Sequence, residues 1–135
     1  MGKLKIIVVD DNQTFLEGII FYLENVLSHE VVGYAYNGKE FLNRWSEIVI
    51  ADVVLMDIQM PVINGIEVIK RLLWHFQEHK VIAVTGFPET VVLRDYISAG
   101  FRGCVFKNRI FEDLSTALDK VVKGRYFFPG NIKIK

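Results

Sequence analysis

The sequence lacks several things, and each shortage removes a class of protein. Its single cysteine, Cys104, cannot close an internal disulfide and fits a reducing compartment, so a cytoplasmic location is expected. No apolar run approaches the ~20 residues needed to cross a bilayer, and no membrane partner is expected. The start, MGKLKIIVVDD, meets acid at once and has no small-residue cleavage site, which argues against a secretory signal. Neither charge dominates. Lys plus Arg and Asp plus Glu number 16 each, leaving no broad positive field for nucleic acid or anionic lipid. Direct nucleic-acid contact by this chain is therefore not expected. The turn after the first apolar run, DDNQT, contains no glycine, unlike the phosphate-cradling loops G-x-G-x-x-G and G-x-x-x-x-G-K-[ST]. His29, His75 and His79 have no cysteine partner or ligand spacing and read as surface residues.

What is present is a repeating order of elements. At 135 residues, 51% of them hydrophobic, the chain suits one globular domain with a real core. Four short apolar runs, IIVV (6–9), VVLM (53–56), VIAV (81–84) and GCVF (103–106), lack polar alternation, as strands covered on both faces do. EVVGYAYN (30–37) alternates more and is placed at an edge. Helical segments lie between. Thr14 with Glu17 has the form of a capping box ahead of Phe15, Leu16, Ile19, Ile20, Leu23 and Leu27. Asn37 with Glu40, and Asn64 with Glu67, repeat the signal before Phe41, Leu42 and Trp45 and before Ile66, Ile69, Leu72 and Leu73. Pro88 suits a first helical turn and Gly100 that helix's end; the last helix carries Phe111, Leu114, Leu118, Val121 and Val122 and stops at Gly124. Five βα units predict an α/β, doubly wound parallel sheet of five strands with five helices on its two faces. The tail RYFFPGNIKIK reads as a solvated terminus.

Ligands of such sheets bind beyond the carboxyl ends of the strands, where strand order reverses. Strand one ends in Asp10 and Asp11, strand three in Asp57, strand four in Thr85 and strand five in Lys107. In the flavodoxin-like order 2-1-3-4-5, strands one and three are neighbours and three carboxylates converge. Two carboxylates about 5 Å apart repel by roughly 3 kcal/mol at an effective dielectric near 20. A hard divalent cation relieves that repulsion, and Mg²⁺ is commonly held by one or two carboxylates plus waters and phosphate oxygens. A carboxylate beside such an ion, faced by a hydroxyl and a fixed ammonium, suits attack on phosphorus to give an acyl phosphate. Asp57 is the predicted acceptor. Phe87, two residues after Thr85, is expected to lie over the site and hinder an attacking water.

VVDDN, VVLMDIQMPVINGIEVI, AVTGF and AGFRGCVFK, in that order and spacing, resemble the receiver domains of two-component response regulators. The likeness runs from about Leu4 to Phe128, so residues 1–128 are read as the receiver and 129–135 as a tail or the start of a linker. It implies Asp57 as phosphoacceptor and a histidine kinase as donor. It also implies Mg²⁺, with Mn²⁺ as an alternative, held by Asp11, Asp57 and the Gln59 backbone carbonyl, with Asp10 helping through water. Thr85 would follow the phosphoryl group as a switch hydroxyl, Lys107 would pair with it, and Pro61 and Gly65 would shape the loop after the acceptor; Gln59 and, from its position after Thr85, Phe87 are expected to tune hydrolysis. The chain would then be a regulatory phosphoacceptor rather than an enzyme, assisting its own phosphorylation and dephosphorylation. Its output surface would comprise helix four, strand five and helix five.

Two positions depart from the family pattern. Cys104 stands where an aromatic switch residue is usual, and Asn108 replaces the commoner proline after Lys107. With the segment KNRIFEDLSTALDKVVKGRYFFP, this looks most like receivers that precede a LuxR-type helix-turn-helix domain. Such a domain would follow the tail and regulate transcription; a stand-alone receiver is the alternative. Homodimerisation on phosphorylation, release of a DNA-binding domain and docking to a partner stay open as outputs. A phosphorylation-independent interaction module is the rival function, given some weight by Cys104. A metal-dependent phosphatase would want an acid two residues after the nucleophile, where Gln59 stands.

Overall fold

A computed structural model of the chain describes residues 2–86 and 92–130. The elements run β1 (Lys5–Val9), α1 (Gln13–Phe21), β2 (Glu30–Ala35), α2 (Gly38–Leu42), α3 (Trp45–Ile50), β3 (Val53–Asp57), α4 (Gly65–His75), β4 (Val81–Thr85), α5 (Leu93–Ala99), β5 (Gly103–Phe106) and α6 (Ile110–Val122). The strands form one parallel sheet in the order β2-β1-β3-β4-β5. This is the flavodoxin-like doubly wound fold expected from the apolar runs, with β2 at the edge.

Strand pleating explains why those runs do not alternate. Ile7, Val9, Val54, Met56, Ala83, Cys104 and Phe106 pack on one side, against the layer that carries α2 to α5. Ile6, Val8, Leu55, Ile82, Val84 and Val105 pack on the other, against α1 and α6. Both faces are dry, so successive residues must all be apolar although they point in opposite directions.

Several local details differ from expectation. There are six α-helices among the described residues, because the second crossover breaks at Asn43 and Arg44 into α2 and α3. Trp45 thereby leaves the apolar face it was assigned and lies partly exposed against Phe76, with ring centroids 5.2 Å apart. The fourth and fifth helices anticipated from the sequence are α5 and α6. Helix α1 starts two residues early: Asn12, not Thr14, is its cap, the Asn12 side chain accepting from the Phe15 amide at 3.0 Å. It then loosens into a π-helical turn over Tyr22–Val26, which carries Leu23 into the core. Asn37 and Asn64 cap α2 and α4 as expected, each accepting from the amide three residues on. Gly100 ends α5 with φ 110°, a conformation glycine adopts without strain. Pro88 lies outside the described residues. Phe111 is 63% exposed, edge-on to Tyr22, and the buried stripe of α6 is Ile110, Leu114, Ala117, Leu118 and Val121. His29 is buried, not superficial: its Nδ1 accepts from the Leu4 amide at 3.0 Å, and burial lowers its pKa.

After α6 the chain returns to the sheet. The Phe127 carbonyl accepts from the Cys104 amide at 2.9 Å, and the Phe127 amide donates to Arg102 at 3.1 Å. No helix among the described residues is long and apolar enough to cross a membrane.

Candidate functional site

The carboxyl ends of β1, β3, β4 and β5 bring Asp10, Asp11, Asp57, Thr85 and Lys107 to one rim. Pleating decides who meets whom. Asp57 continues the alternation of Val53 and Leu55, Asp10 that of Ile6 and Val8, and Lys107 that of Val105, so all three fall on the α1/α6 side of the sheet. Thr85 continues the alternation of Ala83 and falls on the opposite side.

The three acids offer carboxylate oxygens that all lie within 4.8 Å of one another. Asp57 is 3% exposed, Asp10 is buried and Asp11 is open to solvent. Lys107 Nζ stands 2.8 Å from Asp10 Oδ2 and 3.8 Å from Asp57 Oδ2. The first contact is a meeting of charges rather than an aligned hydrogen bond, for Asp10 Oδ2 is buried with its hydrogen-bonding capacity unmet. Asp10 Oδ1 accepts from the Asn12 amide at 2.8 Å, tying the acid pair to the start of α1.

Burial, the like charge of Asp10 and a hydrogen bond and charge from Asp11 push the Asp57 carboxyl up to about 7, against the opposing pull of Lys107. The pocket carries three carboxylates and one ammonium. It is short of two positive charges, and its donors are all hard oxygens. Mg²⁺ is held by one or two carboxylates and keeps several waters, so a cluster of this span can share one divalent cation through direct and water-bridged contacts. The residues present fit the ion their chemistry calls for.

The Thr85 hydroxyl is buried and donates to Gln59 Oε1 at 2.9 Å, so these two predicted residues do meet. Phe87 lies outside the described residues. Pro61 and Gly65 bound a tight loop: the Ile63 amide donates to the Pro61 carbonyl at 2.8 Å, and the Gly65 amide donates to Ile58 at 3.0 Å. Between them Val62 is held at φ 71° and is 90% exposed. A β-branched residue is strained there and gives no burial in return. Val62→Gly is expected to raise the melting temperature by about 2–5 °C, roughly 1 kcal/mol, checked by thermal denaturation.

Cys104 is fully buried, its thiol pushed up to about 12 by desolvation, so it serves as an inert apolar packing residue. Two residues near the site were not anticipated. Tyr96 of α5 is buried on the Thr85 side against Phe101, ring centroids 5.5 Å apart; burial, then the charges of Cys104 and Asp57, raise its hydroxyl pKa. Phe15, assigned to the core face of the first helix, does pack partly buried against that core and also places its ring under the Lys107 ammonium, 4.4 Å from Nζ to the centroid. Periodicity could not separate that role from packing. The usable signal is its place in the first turn after the acid pair.

The model of the response regulator receiver domain family matches residues 6–119. Response regulator GacA of Pseudomonas syringae pv. syringae is 35% identical over 127 residues, 93% of this chain and 59% of that protein. Response regulator protein VraR of Staphylococcus aureus is 28% identical over 132 residues, 98% of this chain and 63% of its own. The chain thus spans about 60% of the length of these curated relatives. Among solved structures, the non-phosphorylated receiver domain of RcsB from Escherichia coli is 28% identical with a TM-score of 0.83, covering 95% of this chain and 99% of that one. A LuxR-family regulator from Aurantimonas has a TM-score of 0.86 at 23% identity, a likeness of fold alone. The acidic rim, the flavodoxin-like sheet and these matches together make the chain a member of the response regulator receiver family of two-component signalling.

Proposed function

We propose that Asp57 is the phosphoacceptor of this receiver and that phosphorylation there switches its output surface. The observation that carries the reading is the Asp57 carboxylate, buried at the end of β3 with Lys107 at 3.8 Å and two further carboxylates in reach of a shared cation. An Asp57 oxygen attacks phosphorus. The bond from phosphorus to the leaving atom, the imidazole nitrogen of a histidine kinase's phosphohistidine or the oxygen of a small acyl phosphate, breaks, and its electron pair leaves with the donor. Asp11, Asp57 and the Gln59 backbone carbonyl would hold Mg²⁺ directly, with Asp10 assisting through water and Mn²⁺ as a substitute. When bound, the ion offsets charge on the phosphoryl oxygens. Lys107 supplies a fixed ammonium and Thr85 a hydroxyl donor to the same group. The Gln59 side chain, engaged with Thr85, and Phe87 tune how fast water reaches the product.

The chain is in this reading a regulatory phosphoacceptor working in the cytoplasm, its receiver unit ending near Phe128, where Phe127 joins the sheet edge. Residues 129–135 form a tail or linker. Its relatives point to transcription as the output. RcsB has been solved as dimers bound to DNA, and the Salmonella RcsB receiver in the presence of the phosphomimetic BeF₃⁻. Here too the output would pass through a DNA-binding domain joined beyond the receiver and through homodimerisation.

The test is incubation with Mg²⁺ and a small acyl phosphate donor, followed by intact-mass measurement and borohydride reduction, which converts an aspartyl phosphate to homoserine. One phosphoryl group, mapped to Asp57 and abolished by chelator, is the expected result. No uptake from any donor, a partner kinase included, overturns it in favour of a phosphorylation-independent interaction module.

A further inference from the structure

We infer that Phe15 is a positioning residue for Lys107: its ring face holds the ammonium inside the acidic pocket and lets it slide from Asp10 towards Asp57. This rests on the phosphoacceptor reading only for its last step. The Lys107 Nζ to Phe15 centroid distance, 4.4 Å, is well inside the range in which a ring face attracts a cation. Lys107 needs such a hold. Its side chain is 23% exposed, its stem is flexible and its ammonium is strongly hydrated, so bulk water is an open alternative. Its anions, Asp10 Oδ2 at 2.8 Å and Asp57 Oδ2 at 3.8 Å, draw it in by charge, but no aligned hydrogen bond at Asp10 Oδ2 fixes its direction.

Phe15 itself is well anchored. Its amide donates to the Asn12 cap, and the Asn12 amide donates to Asp10, so the ring's backbone is pinned to the same acid that the ammonium meets. A ring face attracts without a directional bond. Asp57 Oδ2 already lies 3.8 Å from the same ammonium, so an approach of about 1 Å brings it to hydrogen-bond distance of Asp57 with the ring face still beside it. Lys107 held inward also sets the pocket's deficit at two charges, which one divalent cation meets.

The test uses Phe15→Leu, which keeps apolar bulk without a ring face, and Phe15→Trp, which strengthens the face. In metal-free protein, the Lys107 Cε resonance should be shifted upfield by the ring. That shift should vanish in Phe15→Leu and persist or grow in Phe15→Trp. With the ammonium released, Asp10 is left uncompensated, and Mg²⁺ should bind about two- to fivefold tighter to Phe15→Leu by calorimetric titration. Phosphoryl uptake from the small donor at saturating Mg²⁺ should fall by a similar factor and return in Phe15→Trp. An unmoved Lys107 resonance with unchanged Mg²⁺ affinity in Phe15→Leu overturns the inference. Should that variant fail to fold, a Phe15→Trp resonance at the position of a solvent-exposed lysine, with the ring shift lost, overturns it instead. The resonance and the metal titration need no phosphorylation, so the hold on Lys107 can stand or fall independently of whether Asp57 accepts a phosphoryl group.

Discussion

Asp57→Asn is expected to take up no phosphoryl group and yet to melt higher than the parent in metal-free buffer above about pH 7. The first half follows from removing the nucleophile. The second follows from where the carboxylate sits: burial and the neighbouring acids raise its pKa to about 7, while in the unfolded chain it lies near the ordinary value of 3.8. Between those two values the folded state keeps a proton that the unfolded state has released. Stability from this group is therefore present below about pH 3.8, falls as pH rises towards 7, and is lowest above it. A neutral amide of the same shape avoids that cost. The gain is on the order of 1–3 kcal/mol above about pH 7, shrinking to nothing in acid. Mg²⁺ should raise the parent's melting temperature and do less for Asp57→Asn, because the ion relieves in one what the amide has removed in the other. Melting curves across pH, with and without Mg²⁺, check all of this. A variant that melts at the parental temperature at every pH would show that Asp57 is not electrostatically strained.

Gly65→Ala is expected to destabilise the fold and disturb the acidic pocket together. A Cβ at Gly65 would lie 2.5 Å from the Asp57 carbonyl oxygen and 3.0 Å from Ile58 Cα. Both are backbone atoms, so the relief available to a flexible side chain is absent. The β3–α4 junction has to open, and that junction carries Asp57. A loss of about 1–3 kcal/mol is expected by chemical denaturation, with weaker Mg²⁺ binding and slower phosphoryl uptake. Gly18→Ala is the matched control. Gly18 lies within α1, and a Cβ there meets nothing within 4 Å, so the same substitution should stabilise by up to about 1 kcal/mol. Opposite signs at the two glycines separate close approach from helix propensity.

Much of the architecture was legible because buried parallel strands announce themselves. Each strand position must be apolar on whichever face it points to, so IIVV, VVLM, VIAV and GCVF stand out, and the first polar residue after each marks the rim. Asn37 and Asn64 were legible for a local reason: a capping side chain needs only the amide three residues on. Thr14 misled because capping residues in DDNQT are crowded, and the choice fell to Asn12, whose amide Asp10 binds from the strand side. Phe111 and His29 were misplaced because one apolar or one polar residue carries no direction. Phe111 lies one position from the buried stripe of α6, and His29 is drawn inward by the amide of Leu4, 25 residues away in sequence.

By itself the sequence determined the order of strands and helices and the acids at the rim, and it nominates Asp57 among them as the acceptor we propose, since these depend on local pattern and on the topology that the pattern allows. Only the tertiary structure decided that Lys107 rests on Asp10 and Phe15 while Thr85 turns to Gln59, and that Gly65 must be bare to pass the backbone of Asp57. Those outcomes are set by the pleat of four neighbouring strands and by approaches of a few ångströms between segments distant in the chain, which no periodicity records.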